Sequence, residues 1–371
     1  MYGIYIHIPF CSSFCVYCDF YSVTECNKTE LYIEALEKEI QRRKYDLEGA
    51  PRTIYIGGGT PSLLSMEQLE RIKSILERHF DLTEVEEFSI EVNPDDITPE
   101  YASGLRRFGA NRVSMGVQSF NDENLRWMRR RHTSEQACRA YGYLRDAGFD
   151  NISMDLIFGY KASPVSDEEA LNIWEKDIKA MIALRPEHIS AYQMSIEPGS
   201  ILALSGKYTE PSEEFCQRCY YTLLDMLGGA GYLQYEISNF SLPGFHSRHN
   251  SSYWERIPYL GLGAAAHSFD GSVRSWNPSD LKGYIANAEA GWGEEYKETL
   301  SPDEALEEKV MLGLRKRVGV SLSEDEYRRL LPQINRLSAG GQLIHDTERR
   351  HIALPRESLF ISDSIIADLL M

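Results

Sequence analysis

Three of the seven cysteines, Cys11, Cys15 and Cys18, fall within eight residues in a C-x3-C-x2-C pattern. Three thiolates on one short loop can hold three corners of an iron–sulfur cube and leave the fourth iron open to an outside ligand. A structural zinc ion would want four protein ligands. Cys26 lies eight residues further on, near a helix start, and is a poor fourth. A disulfide framework fits no better, because the cysteine number is odd and the set is clustered in a long chain. A second feature is Gly57-Gly58-Gly59-Thr60-Pro61, where missing side chains let backbone approach a ligand closely. Cys216 and Cys219 form a C-x2-C pair on one face of a predicted helix. With no partner pair they read as buried apolar residues, and so does Cys138.

These residues need a frame to hold them. Short β-rich runs are expected at Tyr2–Ile8, Thr53–Ile56, Phe88–Val92, Arg112–Val117, Ile152–Phe158 and His188–Met194. Between them, periodicity predicts helices over Lys28–Tyr45, Met66–Phe80 (capped by Ser65), Pro99–Phe108, Asp122–Arg130, Glu135–Ala147 (closed by Gly148) and Asp167–Leu184. Such alternation implies an α/β fold with a parallel sheet and crossover helices. Six units suit an open partial barrel or a doubly wound sheet, and in both the ligands sit at the C-terminal strand ends. The cysteines follow the first strand and the glycines follow the second. Beyond Glu214 a helix over Phe215–Leu227 and a strand over Tyr232–Phe240 are expected. Leu242–Asn277 has little periodicity. Two helices, Glu304–Arg317 and Glu324–Leu337, then precede short extended pieces, which suggests a winged-helix-like module. The expected division is 1–235 as the core, 236–300 as an irregular segment and 301–371 as the C-terminal module.

The cysteine pattern at this place in a βα repeat resembles the radical S-adenosylmethionine (SAM) superfamily. That resemblance implies a partial (βα)6 barrel and a 4Fe–4S cluster whose free iron chelates the methionine end of SAM. It also implies electron transfer that cleaves the sulfonium to a 5′-deoxyadenosyl radical. Tyr5-Ile6-His7-Ile8-Pro9-Phe10-Cys11, Gly57–Pro61, Glu91-Val92-Asn93-Pro94, Ser114–Phe120 and Asp155–Gly159 resemble one branch, the coproporphyrinogen dehydrogenase-like proteins. This branch holds an oxidase that decarboxylates coproporphyrinogen III and the HemW-type haem chaperones. The oxidases carry a fourth cysteine where this chain has Phe20, and an N-terminal extension where only four residues precede Tyr5. His249-Asn250-Ser251-Ser252-Tyr253-Trp254 matches the H-N-x-x-Y-W motif of the chaperones. A neutral imidazole can be an axial iron ligand, and two aromatic rings offer flat faces to a macrocycle. His249, Asn250, Tyr253 and Trp254 are therefore the expected haem residues. His246, Arg248 and His267 are alternatives, with Arg248 a partner for a propionate. Taken alone, a histidine among aromatics is more often structural.

The resemblance also implies the SAM contacts. Tyr5 and Tyr17 lie near the cluster, and Gly58, Gly59 and Thr60 at the methionine end. Glu91 accepts from a ribose hydroxyl or the amino group, and Arg130 meets a carboxylate. Gln118 and Asp155 follow their strands. The bland alternatives are a strand-end cap or ion pair for Glu91 and Asp155, and a solvated charge for Arg130, whose neighbours Arg129 and Arg131 let the register slip. Where the family commonly has Gly-Leu-Pro-Gly-Gln-Thr, this chain has Gly159–Pro164 of different sequence, which places catalytic turnover in question. The implied function is a haem chaperone that passes haem to acceptors, among them membrane respiratory proteins. The cluster and SAM would serve structure, homodimerisation or the triggering of transfer. Against it stand a true porphyrinogen-oxidising enzyme and a haem-degrading methyltransferase-like relative.

Composition narrows the rest. With 43 % hydrophobic and 26 % charged residues the chain is neither disordered nor fibrous. A charge of -17, from 39 basic and 56 acidic residues, disfavours nucleic acid as a partner. Residues 301–371 carry 10 Lys/Arg and 12 Asp/Glu, so the C-terminal module lacks the basic surplus of a DNA reader. Tyr2–Phe10 has no basic signal-peptide start, and no stretch reaches the roughly 18 apolar residues of a membrane span. A reducing cytoplasm is the expected compartment.

Overall fold

The computed structural model describes residues 1–292 and 296–371. Its first half is six βα units: β1 (Tyr2–Ile8), α1 (Thr29–Arg43), β2 (Pro51–Gly58), α2 (Met66–His79), β3 (Glu87–Val92), α3 (Pro99–Phe108), β4 (Arg112–Gln118), α4 (Asp122–Trp127), α5 (Ser134–Asp146), β5 (Ile152–Phe158), α6 (Asp167–Leu184) and β6 (His188–Gln193). The six strands lie side by side in chain order, each parallel to the next. Among the described residues neither edge of the sheet closes on the other, so the barrel is partial.

Local chemistry marks the helix starts. Ser65, Thr133 and Ser166 each accept from the backbone N–H three residues on, and Gln68, Gln136 and Glu169 return the bond in capping boxes. Thr98 caps α3, whose first residue is Pro99.

Along the strands the two faces differ in kind. Ile4, Ile6, Ile54, Ile56, Phe88, Ile90, Val113, Met115, Ile152, Met154 and Ile189 are buried in the apolar core. The alternate positions hold Tyr5, His7, Thr53, Tyr55, Ser89, Glu91, Arg112, Ser114, Ser153, Asp155, His188 and Ser190. A strand sends successive side chains to opposite faces, so one face of the sheet is apolar and the other polar or aromatic. The site is built on the second face.

The chain continues through α7 (Ile201–Ser205), α8 (Glu213–Gly229), β7 (Leu233–Gln234) and β8 (Asn239–Ser241). The single strand expected over Tyr232–Phe240 is thus two short ones, antiparallel to each other, with β8 antiparallel to β6. The segment without legible periodicity holds α9 (Arg248–Trp254), β9 (Tyr259–Leu262), β10 (His267–Phe269) and β11 (Val273–Trp276). These elements span at most seven residues, too few for a period to show. β9 pairs parallel with β1, and β10, β11 and, after α10 (Leu281–Ala290), β12 (Tyr296–Thr299) extend that edge antiparallel. The C-terminal module comprises α11 (Pro302–Arg315), β13 (Val320–Ser321), α12 (Glu324–Ala339), β14 (Ile344–Asp346), β15 (His351–Ala353) and α13 (Ser362–Leu370), with its strands in a separate antiparallel sheet of order β13-β15-β14.

Cys216 and Cys219 are buried as expected, but Cys138 is exposed. α5 turns Ala137, Ala140, Tyr141 and Leu144 to the core, and Cys138 falls on its other side. The helix expected over Asp122–Arg130 stops at Trp127, because Arg129 takes a left-handed φ of 58° and turns the chain so that Arg130 points back to the strands.

Candidate functional site

The loop after β1 carries the three cysteines, and all three line one cavity of about 630 Å³ at the C-terminal strand ends. The same cavity is lined by Tyr17, Gly58, Gly59, Thr60, Glu91, Gln118, Arg130, Asp155 and Asn250. Nine residues singled out for SAM or haem therefore meet the cysteines in space.

The loop is tied down by Cys11 N–H donating to Val23 C=O at 2.9 Å and Cys11 Sγ lying 3.4 Å from Thr60 Oγ1. The Arg130 guanidinium reaches Cys15 Sγ at 3.4 Å while donating to Asn93 Oδ1 at 2.7 Å and to the Gly116 carbonyl at 2.6 Å. Its Nε is buried with no partner among the described residues. Arg131 faces Asp95 and Asp96, at 2.9 and 3.0 Å, while Arg130 reaches Cys15 on the cysteine loop, and Arg129 and Arg131 line the same cavity.

The glycines are needed by neighbouring protein. Gly58 has φ +113°, and a Cβ there would lie 2.7 Å from the His7 ring. At Gly59 a Cβ would meet the Phe10 carbonyl at 2.7 Å and Cys11 Sγ at 3.0 Å. The glycine run lets the β2 loop lie directly on the cysteine loop.

Glu91 uses one carboxylate oxygen for the Tyr55 hydroxyl at 2.7 Å and the other for the Gly58 N–H at 3.0 Å. Burial pushes its carboxyl up to about 7, with the nearby Asp155 adding to the rise. Burial likewise raises Asp155 to about 6, against the pull of the Ser190 and Ser114 hydroxyls. Its Oδ1 is buried with no partner among the described residues. Arg112, on β4, is also buried, with Nε and Nη1 unpartnered among the described residues. Two carboxyls poised near neutrality, one with a spare oxygen, make a cavity suited to a cationic ligand.

The remaining candidates separate. Tyr5 and Tyr253 line a neighbouring cavity instead, and Trp254 lines neither. His249 is 0 % exposed. Its Nδ1 is 2.8 Å from Thr53 Oγ1, its Nε2 is 2.8 Å from the Tyr253 hydroxyl, and its ring stacks on Tyr55. Burial lowers it to about 3, so it is a neutral imidazole with both nitrogens engaged. Arg248 pairs with Glu86, and exposed His246 meets the edge of Tyr235. Sequence reasoning missed Tyr55, Asn93, Ser114, Ser190 and Tyr192, all on the cavity wall. The alternation of apolar and polar residues along each strand was the signal that could have found them.

Among the described residues no three His, Cys, Asp or Glu side chains converge on a single metal ion. Three thiols that share a cavity without converging suit a cube that offers each a different iron, and Cys26 is not on that wall.

The Radical SAM superfamily model matches residues 5–172. A haem chaperone, HemW, of Lactococcus lactis is 36 % identical over 361 residues, covering 94 % of this chain and 92 % of the relative. The HemW of Bacillus subtilis is 36 % identical over 362 residues, covering 94 % of each. The chain belongs to the HemW family of the radical SAM superfamily. Among solved structures, the coproporphyrinogen III oxidase HemN of Escherichia coli superposes with a TM-score of 0.84 over 99 % of this chain and 89 % of that one, at 24 % identity, which speaks for the shared fold. Superfamily membership brings a 4Fe–4S cluster and SAM, and the cavity fits them: open thiols, an arginine donor beside one sulfur and unfilled carboxylate capacity. Among the described residues no helix is long and apolar enough to cross a membrane.

Proposed function

We propose that this chain is a haem carrier, binding haem beside a 4Fe–4S cluster and SAM and releasing it to acceptor proteins. The observation that carries this reading is the placement of α9. Its Asn250 reaches the cluster cavity while its Tyr253 lines a second, aromatic cavity next to it. One short helix thus touches both ligand spaces. Relatives matched over nearly the whole chain are named haem chaperones.

When bound, the cluster supplies an electron and an open iron for the methionine end of SAM. Cys11, Cys15 and Cys18 would hold it. Arg130 holds Cys15 by its donor and keeps positive charge beside the thiolates. Tyr17 closes the cavity near the cysteines, and Thr60 braces Cys11. Glu91 holds the glycine loop through Gly58 N–H, and Asp155 keeps an acceptor free for a cationic or hydroxyl group of SAM. Gln118, held at φ 71°, completes the wall. We place the protein in the cytoplasm. The acceptors, respiratory haem proteins at the membrane, would be met through protein contacts, since a chain of charge -17 gains nothing from an anionic leaflet. Homodimerisation belongs to the same proposal.

Phe20 favours carrier over oxidase: it is 74 % exposed on the rim, where no thiol is added to the cluster loop. The test is a side-by-side assay on anaerobically reconstituted protein. Haem binding without conversion of coproporphyrinogen III, given SAM and a reductant, is the expected result. Turnover to protoporphyrinogen IX would overturn the reading.

A further inference from the structure

Resting on the haem-carrier reading, we infer that haem occupies the cavity beside the cysteine loop with His267, rather than His249, as its axial ligand. That cavity measures about 500 Å³, within the roughly 300–1,000 Å³ of cofactor pockets. Its walls are aromatic: Tyr5 from β1, Phe20 from the cysteine loop, Tyr253 from α9, Tyr259 and Phe269 from the added strands. Tyr253 and Tyr259 meet edge to face at 4.6 Å. Flat apolar surfaces of this kind suit a macrocycle.

Two histidines line this space, His7 and His267. His7 is spent: Nδ1 lies 3.0 Å from the Tyr5 hydroxyl and Nε2 is 2.8 Å from the Tyr21 carbonyl. His249 lies behind Tyr253, fully buried with both nitrogens bonded, and only 3.2 Å from where a Cβ on Gly3 would stand. Turning a nitrogen of it toward a ligand would break at least one buried bond and open the β1–β2 packing. His267 makes a ring stack with Trp276, centroids 5.9 Å apart and planes 19° off parallel. His267 is exposed, its ring nitrogens have no hydrogen-bond partner among the described residues, and partial burial and Arg274 lower its pKa against the opposing pull of Glu298. Trp276 thus sets the ring plane and leaves the lone pair free.

The polar edge of the cavity fits the rest of the ligand. Arg256 and Arg274 share one carboxylate, Glu308 of α11, and each lies 5.5 Å from the Phe269 ring centre. Two guanidiniums on one carboxylate retain donors for the propionates of haem. In this arrangement Tyr253 serves as wall and His249 as its anchor, and Phe20, which borders both cavities, separates haem from the cluster.

Hemin titration of the anaerobically reconstituted full chain, read as a difference spectrum against the same protein without haem, tests this. The wild type is expected to give a shifted Soret band. His267→Ala should lose that shift and bind about tenfold more weakly or worse, with added imidazole restoring the spectrum. Leu312→Trp, which narrows the cavity from another wall residue, should weaken binding too. A wild-type titration in His267→Ala overturns the inference whatever Leu312→Trp does, and so does a loss confined to a folded His249→Asn variant. In both cases the carrier reading stands. A wild-type protein with no haem-dependent band would sink that reading itself.

Discussion

Glu91→Gln should change how stability depends on pH. The Glu91 carboxyl is partly buried on the cavity wall, facing the Tyr55 hydroxyl at 2.7 Å and the Gly58 N–H at 3.0 Å, and burial lifts it from 4.5 to about 7. Below pH 4.5 the group is protonated folded and unfolded alike, and its contribution is fully present. Between 4.5 and about 7 the unfolded chain gives up the proton while the folded one keeps it. Stability is therefore lost as pH rises through that window. A rise of this size corresponds to about 3 kcal/mol. Glutamine is neutral at every pH, so near pH 5 the variant and the wild type should be about equally stable, each placing a neutral group before two donors. At pH 8 the variant should be more stable by up to about 3 kcal/mol. Asp177, which burial also raises to about 6, remains in both proteins and cancels in the comparison, whereas Asp155, also raised to about 6, repels Glu91, and relief of that repulsion in the variant acts in the same direction. Denaturant unfolding of both proteins at pH 5 and pH 8, in the same cluster state, reads the difference. A gap that stays constant to within about 0.5 kcal/mol across that range would refute the raised Glu91 carboxyl. Saturating SAM, whose sulfonium favours the charged carboxylate, should narrow the gap at pH 8.

Other outcomes follow from single contacts. Gly58→Ala meets both a φ of +113° and a His7 ring pinned by Tyr5 and Tyr21, and should cost about 2–4 kcal/mol in denaturant unfolding, with no shift contradicting the close approach. Cys15→Ala should abolish iron retention after reconstitution, whereas Cys216→Ala, buried and not on that cavity wall, should keep its iron and lose only about 1–2 kcal/mol of stability. Equal iron in both would remove Cys15 from the ligand set. Arg130→Lys cannot span Asn93, the Gly116 carbonyl and Cys15 at once. It should lower the unfolding midpoint and alter the cluster's visible spectrum, and a wild-type spectrum would make Arg130 a scaffold residue only.

Much of the core could be read directly from residues. The six strands and the helices between them stand where alternation and capping placed them, because the signals are local: Ser65 before Gln68, Thr98 before Pro99 and Gly148 after α5. The extended edge was illegible for the opposite reason. β9 is four residues long and takes its identity from pairing with β1, some 250 residues away in the chain. Cys138 was misplaced because helical periodicity blurs where small residues such as Ala137 and Ala140 form the inward face.

Sequence alone determined the family and pointed to the cysteine loop, since C-x3-C-x2-C is chemistry written in consecutive residues. Tertiary structure decided what each remaining candidate does. It turned Arg130 onto Cys15, left Asp155 with a spare oxygen, and buried His249 under Tyr253 with no nitrogen free. It also opened a second aromatic space around His267. Availability of a side chain depends on which neighbours consume its donors and acceptors. Thr53, which engages His249, lies 196 residues away in the chain and is brought beside it only by the fold, whereas Trp276 stacks on His267 without taking a nitrogen.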